Sequence, residues 1–281
     1  MKRTLPIGVF DSGIGGLTVL AELLRRLPGE RFVYLGDTAR LPYGTKSRET
    51  VIRYALGAGA FLVARNIKLL VVACNTASAA ALPALAESLP VPVLGVVQPA
   101  VRAAATRARK VAGVIGTEST VSSGAYQELL ARLRPDLRVV GQACPLFVPL
   151  AEEGWFDHPV THQVAEVYLA SLRQQGVDTV ILGCTHYPLL STPIARALGP
   201  EVALINSGTA VAEEAAALLA REDLVAPGTG GGVEILVTDA APRVTRLAAA
   251  IIPQVAGAFD LVDIPAAGEG RPHVGSAHGA G

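Results

Sequence analysis

The stretch that decides the fold reads Leu69-Leu70-Val71-Val72-Ala73-Cys74-Asn75-Thr76-Ala77-Ser78. A short run of aliphatic and β-branched residues that ends in small polar side chains predicts a buried strand of a parallel sheet. The alanine-rich pattern after it predicts a helix. Ligands of such sheets bind beyond the carboxyl ends of the strands, where the chain turns into the next helix. Cys74 is therefore predicted to lie where a ligand would bind.

A second stretch repeats this design and reads Thr179-Val180-Ile181-Leu182-Gly183-Cys184-Thr185-His186-Tyr187-Pro188. A free cysteine is among the most buried residue types, so core packing is the alternative explanation for Cys74. Packing does not explain two cysteines that both end an apolar strand and both precede hydrogen-bonding side chains. We therefore interpret Cys74 and Cys184 as functional residues. Cys144 lacks that polar setting, and we interpret it as part of the core.

The composition excludes several classes of protein. The chain has 281 residues, 51% of them hydrophobic and 17% charged, with 24 basic and 24 acidic side chains. This balance is typical of a globular protein and offers no basic surface for nucleic acid. No apolar run reaches the length of about eighteen residues that a membrane span needs, and Asp11 interrupts the N-terminal apolar run too early for a signal peptide. We expect a cytoplasmic protein that binds neither nucleic acid nor membrane.

The cysteine and lysine usage argues against metals and cofactors. The three cysteines form no C-x-x-C pair, so neither a zinc site nor a disulfide framework is indicated. The chain has four lysines, which leaves few candidates for a Schiff base with pyridoxal phosphate. We therefore expect no metal, and pyridoxal phosphate is disfavoured as a cofactor.

Two further loops carry polar side chains. The first predicted strand, residues 7–10, ends in the turn Asp11-Ser12-Gly13-Ile14-Gly15-Gly16-Leu17-Thr18, where Thr18 replaces the third glycine of a dinucleotide-binding fingerprint. Nucleotide binding is thus disfavoured, and we expect the backbone N–H groups and the Ser12 hydroxyl to hold an anion. The loop Gly36-Asp37-Thr38-Ala39-Arg40-Leu41-Pro42-Tyr43-Gly44 could bind a polar ligand, although its composition also fits an ordinary surface loop.

The pattern of strands restarts in the middle of the chain. The predicted strands at residues 111–116, 138–140 and 179–183 follow in the same order as those at residues 7–10, 31–35 and 69–72. A strand at residues 201–205 closes the second series. A third segment has a helix at residues 209–221, a strand at 233–238 and a helix at 244–252, and the glycine-rich tail from residue 265 is expected to be disordered. The repeat predicts two similar α/β domains with mostly parallel sheets.

A pseudo-twofold relation between the two domains would bring Cys74 and Cys184 face to face across a cleft. Two opposed thiols suit a reaction in which a proton leaves one face of a carbon and returns on the other. Candidate partners for positioning the proton are Asp11, Glu152, Glu153 and His186. Candidate donors to a bound carboxylate are Ser12, Asn75, Thr76, Thr117, Thr120 and Thr185. The hydroxyls could instead cap the helices that they precede.

Four of these motifs, 11–19, 36–44, 73–77 and 183–190, together resemble bacterial glutamate racemases, and the resemblance extends from about residue 7 to about residue 252. It implies a cofactor-independent racemase that makes D-glutamate for peptidoglycan and hence for cell-wall biogenesis. It also implies that Cys74 acts on the D-enantiomer with help from Asp11. Cys184 would act on the L-enantiomer with help from His186 and a glutamate, for which the spacing to Cys184 favours Glu152 over its neighbour Glu153. The implied substrate contacts are Asp11, Ser12, Tyr43, Gly44, Asn75, Thr76, Thr185 and His186, with Thr117 and Thr120 as additional donors.

The resemblance also implies that the second domain is inserted into the first. The expected division is residues 1–97 plus 207–264 for the first domain and residues 98–206 for the second. A homodimer is one expectation, and no motif indicates allosteric control by a peptidoglycan precursor. Two alternatives remain: a related racemase for aspartate or another amino acid, and a non-catalytic binding or regulatory protein such as a gyrase inhibitor.

Overall fold

The computed structural model describes residues 2–228, 230–240, 242–253 and 259–264. Its strands are β1 (Ile7–Asp11), β2 (Arg31–Gly36), β3 (Leu69–Val72), β4 (Val93–Gly95), β5 (Val111–Gly116), β6 (Arg138–Ala143), β7 (Thr179–Gly183), β8 (Ala203–Asn206), β9 (Gly232–Val237) and β10 (Asp260–Leu261). Its α-helices are α1 (Leu17–Arg26), α2 (Arg48–Val63), α3 (Asn75–Ser88), α4 (Val97–Arg107), α5 (Glu118–Ser122), α6 (Ala125–Leu133), α7 (Phe147–Glu152), α8 (Pro159–Gln174), α9 (Ser191–Leu198), α10 (Ser207–Arg221) and α11 (Pro242–Ile251). Short 3-10 helices span Lys2–Thr4, Tyr43–Thr45 and Tyr187–Leu190.

The strands form two parallel sheets. One has the order β10-β9-β2-β1-β3-β4, and the other has the order β6-β5-β7-β8. The order of the first four strands within their sheet, β2-β1-β3-β4, is repeated by the next four. The structure therefore confirms the predicted α/β class with two similar parallel sheets. In both sheets the strand that precedes a predicted functional cysteine, β3 or β7, is an interior strand.

The strand β3 shows why its sequence is apolar throughout. All four of its residues are buried. Leu69 and Val71 pack in a cluster with α1 and α10 on one face of the sheet. Leu70 and Val72 pack in a cluster with α2 and α3 on the other face. Successive side chains of a strand point to opposite faces, so a strand covered on both faces needs an unbroken apolar run.

Several element boundaries differ from the sequence-based expectation. The apolar run at residues 91–97 predicts a strand, but β4 ends at Gly95, because the Val97 N–H donates to Ser78 Oγ and α4 begins there. The helix expected from residue 209 begins at Ser207, because the Asn206 side chain accepts the Gly208 N–H and caps it. The closing strand expected at residues 201–205 is β8. The tail from residue 265 lies outside the described residues.

None of the described helices combines the length and the apolar character needed to cross a membrane.

Candidate active site

The residues that follow β3 and β7 line one cavity of about 40 Å³, and both Cys74 and Cys184 belong to its wall. The lining residues that the sequence predicted are Ser12, Tyr43, Gly44, Cys74, Asn75, Thr76, Thr117, Glu152, Cys184, Thr185 and His186. Lining residues not singled out from the sequence are Gly13, Leu41, Pro42 and Val148. The cavity thus combines side chains from around both sheets.

Two predicted site residues lie behind the cavity wall instead of in it. Asp11 is fully buried and accepts the backbone N–H groups of Gly13 and Gly16, each at 3.0 Å. Burial raises the pKa of this carboxyl group. Thr120 is also fully buried and lies 3.0 Å from the hydroxyl of Thr76. Each therefore contacts a residue that lines the cavity.

Cys74 caps the helix that follows β3. Its Sγ accepts the Ala77 N–H at 3.4 Å, because Cys74 is the residue that precedes the first turn of α3. Burial, and next the negative charge of Asp11, raise the pKa of the Cys74 thiol to about 12, although a hydrogen bond with Ser12 acts in the opposite direction. At neutral pH this thiol is protonated and can act as an acid.

His186 lies between a thiol and a carboxylate. Its Nδ1 is 3.8 Å from Cys184 Sγ, and its Nε2 is 3.4 Å from Glu152 Oε1. Burial acts to lower the pKa of His186, but hydrogen bonding to Cys184 and Glu152 outweighs it and raises the pKa to about 10. The ring is therefore an imidazolium at neutral pH, and it places a positive charge beside Cys184 Sγ.

The two neighbouring glutamates differ in their position relative to the cavity. Glu152 ends α7 and lines the cavity, and it contacts His186. Glu153 is exposed at the end of the same helix. The cavity therefore has Glu152 as the partner of its histidine.

The site has two halves, one formed by residues around the β1–β4 strands and one by residues around the β5–β8 strands. Three threonine hydroxyls connect these two halves. The Thr76 Oγ1 lies 3.1 Å from that of Thr117 and 3.0 Å from that of Thr120, and the last two are 2.9 Å apart. Thr117 also caps α5 by accepting the Thr120 N–H. Capping and a position at the cavity therefore coexist in Thr117, so neither explanation of the hydroxyl excludes the other.

Tyr43, a predicted substrate contact, lines the cavity, and its hydroxyl is bound to another residue of the same loop. That hydroxyl donates to Asp37 Oδ2 at 2.6 Å and is engaged away from the cavity. Gly44 follows Tyr43, and a Cβ at Gly44 would lie only 2.8 Å from Thr117 Cβ. Asp37 belongs to the loop that the sequence singled out, although its role in holding Tyr43 was not predicted.

The chain matches the family model described as Asp/Glu/Hydantoin racemase over residues 7–215. It is 56% identical to the glutamate racemase of Geobacter metallireducens over 228 residues, which cover 80% of this chain and 84% of that protein. Its structure superimposes on glutamate racemase isoform RacE1 of Bacillus anthracis with a TM-score of 0.90 and 38% identity, covering 94% of this chain and 99% of that one. It also superimposes on a Francisella tularensis glutamate racemase in complex with D-glutamate, with a TM-score of 0.88 and 34% identity over 93% of this chain and 98% of that one. The chain therefore belongs to the Asp/Glu/hydantoin racemase family and, within it, to the glutamate racemases.

Proposed function

We propose that this chain interconverts L- and D-glutamate without a cofactor, through one thiol on each side of the α-carbon. The observation that carries the proposal is that Cys74 and Cys184, at matching ends of two equivalent strands, line the same cavity. The substrate assignment is supported by relatives that are glutamate racemases and by the D-glutamate bound in the Francisella tularensis structure.

The protonation of the site supports a direction for each thiol. The imidazolium of His186 places a positive charge 3.8 Å from Cys184 Sγ, and in this proposal Cys184 removes the α-proton of L-glutamate. Cys74, whose pKa is raised to about 12, would hold the proton that is delivered to the opposite face. One proton moves to sulfur and one moves from sulfur to carbon, so the net result is inversion. In the reverse direction the two thiols exchange roles.

The polar wall of the cavity supports the binding of two carboxylates and the stabilisation of charge that develops at the α-carbon. In this proposal Asp11 acts on Cys74 through its charge, and Thr120 acts through the hydroxyl of Thr76. The residues proposed to contact glutamate are Ser12, Tyr43, Gly44, Asn75, Thr76, Thr117, Thr185 and His186.

The domain division is also a proposal. We assign residues 1–97 plus 207–264 to the first domain and residues 98–206 to the second. The support is that strands on both sides of residues 98–206 pair in one sheet, with β9 beside β2, while β5–β8 form the other. The proposed cellular role is the supply of D-glutamate for peptidoglycan by a cytoplasmic enzyme, which could act as a homodimer and needs neither nucleic acid nor membrane.

The direct test is circular dichroism of pure D-glutamate with the purified protein and no added cofactor. The ellipticity is expected to decay to zero, because the two enantiomers are equally stable in solution. D-Aspartate under the same conditions is expected to keep its signal. Decay of D-aspartate alone would replace glutamate by aspartate as the substrate, and decay of neither would support a binding protein without racemase activity.

We expect Glu152→Gln to lower the pKa of His186 below its present value of about 10, because the amide removes the negative charge beside the ring. An imidazolium with a lower pKa loses its proton at lower pH. The alkaline limb of the pH–rate profile should therefore move to lower pH, and kcat at neutral pH should fall about tenfold. Glu153→Gln is the matched control, since this exposed neighbour should leave both unchanged. Equal effects of the two variants would contradict the assignment.

We expect Gly15→Ala to lower kcat/KM about a hundredfold while the fold is retained, since small misplacements at an active site have effects of this size. A Cβ at Gly15 would lie 2.6 Å from both His186 Cε1 and Thr185 Oγ1, so these side chains must shift. Gly232→Ala is the control, because no atom lies within 4 Å of a Cβ built there. The measurements are racemization kinetics and thermal unfolding, and wild-type kinetics for Gly15→Ala would refute the prediction.

A further inference from the structure

Thr18 makes a hydrogen bond from one half of the site to the other. It lies in the first turn of α1, and its buried Oγ1 is 2.8 Å from the backbone carbonyl of Thr185 and 2.9 Å from that of Gly15. A threonine hydroxyl has one proton to donate. The carbonyl of Gly15 already accepts the Thr18 N–H at 3.0 Å. We therefore assign the hydroxyl proton of Thr18 to the carbonyl oxygen of Thr185.

The two contacts of the hydroxyl have different explanations. A helical threonine commonly bonds back to a carbonyl of the preceding turn, which accounts for Gly15. This local bonding pattern does not account for the contact with the carbonyl of Thr185, which is 167 positions away in the chain. Thr185 is the residue between Cys184 and His186, so the hydroxyl of Thr18 holds the backbone that joins the thiol to its imidazolium.

The turn before Thr18 packs against the same two residues. The position of a Cβ on Gly15 lies 2.7 Å from His186 Nδ1, the ring atom that faces Cys184 Sγ. The turn is itself held in shape by Asp11, which accepts the N–H groups of Gly13 and Gly16. A hydrogen-bonded turn of the first half therefore packs directly against the segment of the second half that carries Cys184 and His186.

We propose that Thr18 is a positioning residue for the Cys184 half of the reaction, acting through its hydrogen bond to the Thr185 carbonyl. Removing this bond frees the segment 184–186 and separates Sγ from the imidazolium and from the α-proton. The inference rests on the proposed function, because it assigns a role within racemization by two thiols.

A second hydrogen bond between the halves provides a comparison on the Cys74 side. The hydroxyl of Tyr126 in α6 lies 2.7 Å from the Nδ2 of Asn75, the residue after Cys74. Tyr126 is fully buried. Tyr126→Phe therefore removes one buried hydroxyl from the same interface, next to the other thiol. It separates a specific effect on Cys184 from a general loosening of the two halves.

Racemization kinetics alone cannot reveal whether the step at Cys74 or the step at Cys184 is affected. The equilibrium constant between L- and D-glutamate is one, so any change in kcat/KM is equal in both directions. The probe is 3-chloroglutamate, supplied separately with the L- and the D-configuration at the α-carbon. One thiolate removes the α-proton, chloride leaves from the β-carbon with its electron pair, and the enamine is hydrolysed by water to 2-oxoglutarate and ammonia. A single thiol suffices, so each enantiomer reports on one half. Cys74→Ser and Cys184→Ser establish which enantiomer reports on which thiol.

Thr18→Val is expected to slow elimination from the enantiomer that Cys184 handles by about tenfold or more, since misplacement by about 1 Å can have larger effects. Elimination through Cys74 should stay within about twofold of the wild-type rate, because the hydrogen bond of Thr18 positions Cys184 and its neighbours and leaves Cys74 in place. Thr18→Ser keeps the hydroxyl and should restore the Cys184 rate. The ratio of the two rates comes from one preparation, so it does not depend on the folded fraction.

Three results would overturn the inference. They are an equal loss in both halves for Thr18→Val, a Tyr126→Phe variant that shows the same selective loss through Cys184, and a Thr18→Ser variant as slow as Thr18→Val. Failure of the proposed function is seen separately. In that case the wild-type protein does not racemize glutamate, or the cysteine variants do not divide the two enantiomers between them.

Discussion

Cys74→Ser and Cys184→Ser are each expected to abolish racemization in both directions, with a loss above about a thousandfold, toward the upper end of the range for acid–base groups. In the proposed mechanism each sulfur is the base in one direction and the acid in the other, so losing either one blocks both. A serine hydroxyl is far too weak an acid to replace a thiol. The measurement is the decay of ellipticity from pure L-glutamate and, separately, from pure D-glutamate.

Each cysteine variant should nevertheless retain one working half. Cys74→Ser should still eliminate chloride from the L-enantiomer of 3-chloroglutamate through Cys184, and Cys184→Ser from the D-enantiomer through Cys74. Cys144→Ser is the matched control, because Cys144 is buried in the core cluster around β7 and is not a lining residue. It should behave as wild type in both assays. If either variant handles both enantiomers, or neither, the mechanism of opposed thiols is wrong for this protein.

The fold was predictable where the signal is local and repeated. The apolar runs before Cys74 and Cys184 indicate strands by themselves, and the second series of strands repeats the first, so the two sheets follow from the sequence. The early start of α4 was not predictable, because it depends on Ser78 from the preceding helix, which accepts the Val97 N–H. A partner supplied by tertiary structure leaves no pattern in the local sequence.

The site was predictable to the level of motifs and less so to the level of individual atoms. The sequence indicates that Tyr43 belongs to a binding loop, but not that Asp37 engages its hydroxyl. Spacing favoured Glu152 over its neighbour without excluding Glu153, whereas the geometry of α7 turns Glu152 toward His186 and leaves Glu153 exposed. Val148 has no polar signature, so nothing in the sequence indicated that it lines the cavity.

Thr18 shows most clearly why such contacts escape sequence analysis. In the sequence it is the residue that departs from a glycine fingerprint, which served only to disfavour nucleotide binding. In the structure its hydroxyl reaches the Thr185 carbonyl across the cleft. The glycine that the fingerprint has at this position carries no side chain and could not make this hydrogen bond.

His186→Asn is expected to lower kcat by about a hundredfold to ten-thousandfold, the usual range for a group that assists proton transfer, while leaving measurable racemization. Asparagine can donate a hydrogen bond but carries no charge, so negative charge on Cys184 Sγ loses the imidazolium 3.8 Å away. Both thiols remain, so activity should fall without being abolished.

The loss caused by His186→Asn should be confined to the half-reaction through Cys184, which 3-chloroglutamate measures directly. His162→Asn is the matched control, since His162 also pairs with a carboxylate, Asp157 at 2.7 Å, but is not a lining residue of the cavity. That variant should keep wild-type rates with both enantiomers. A His186→Asn variant with wild-type rates, or with equal losses through both thiols, would show that the imidazolium does not activate Cys184.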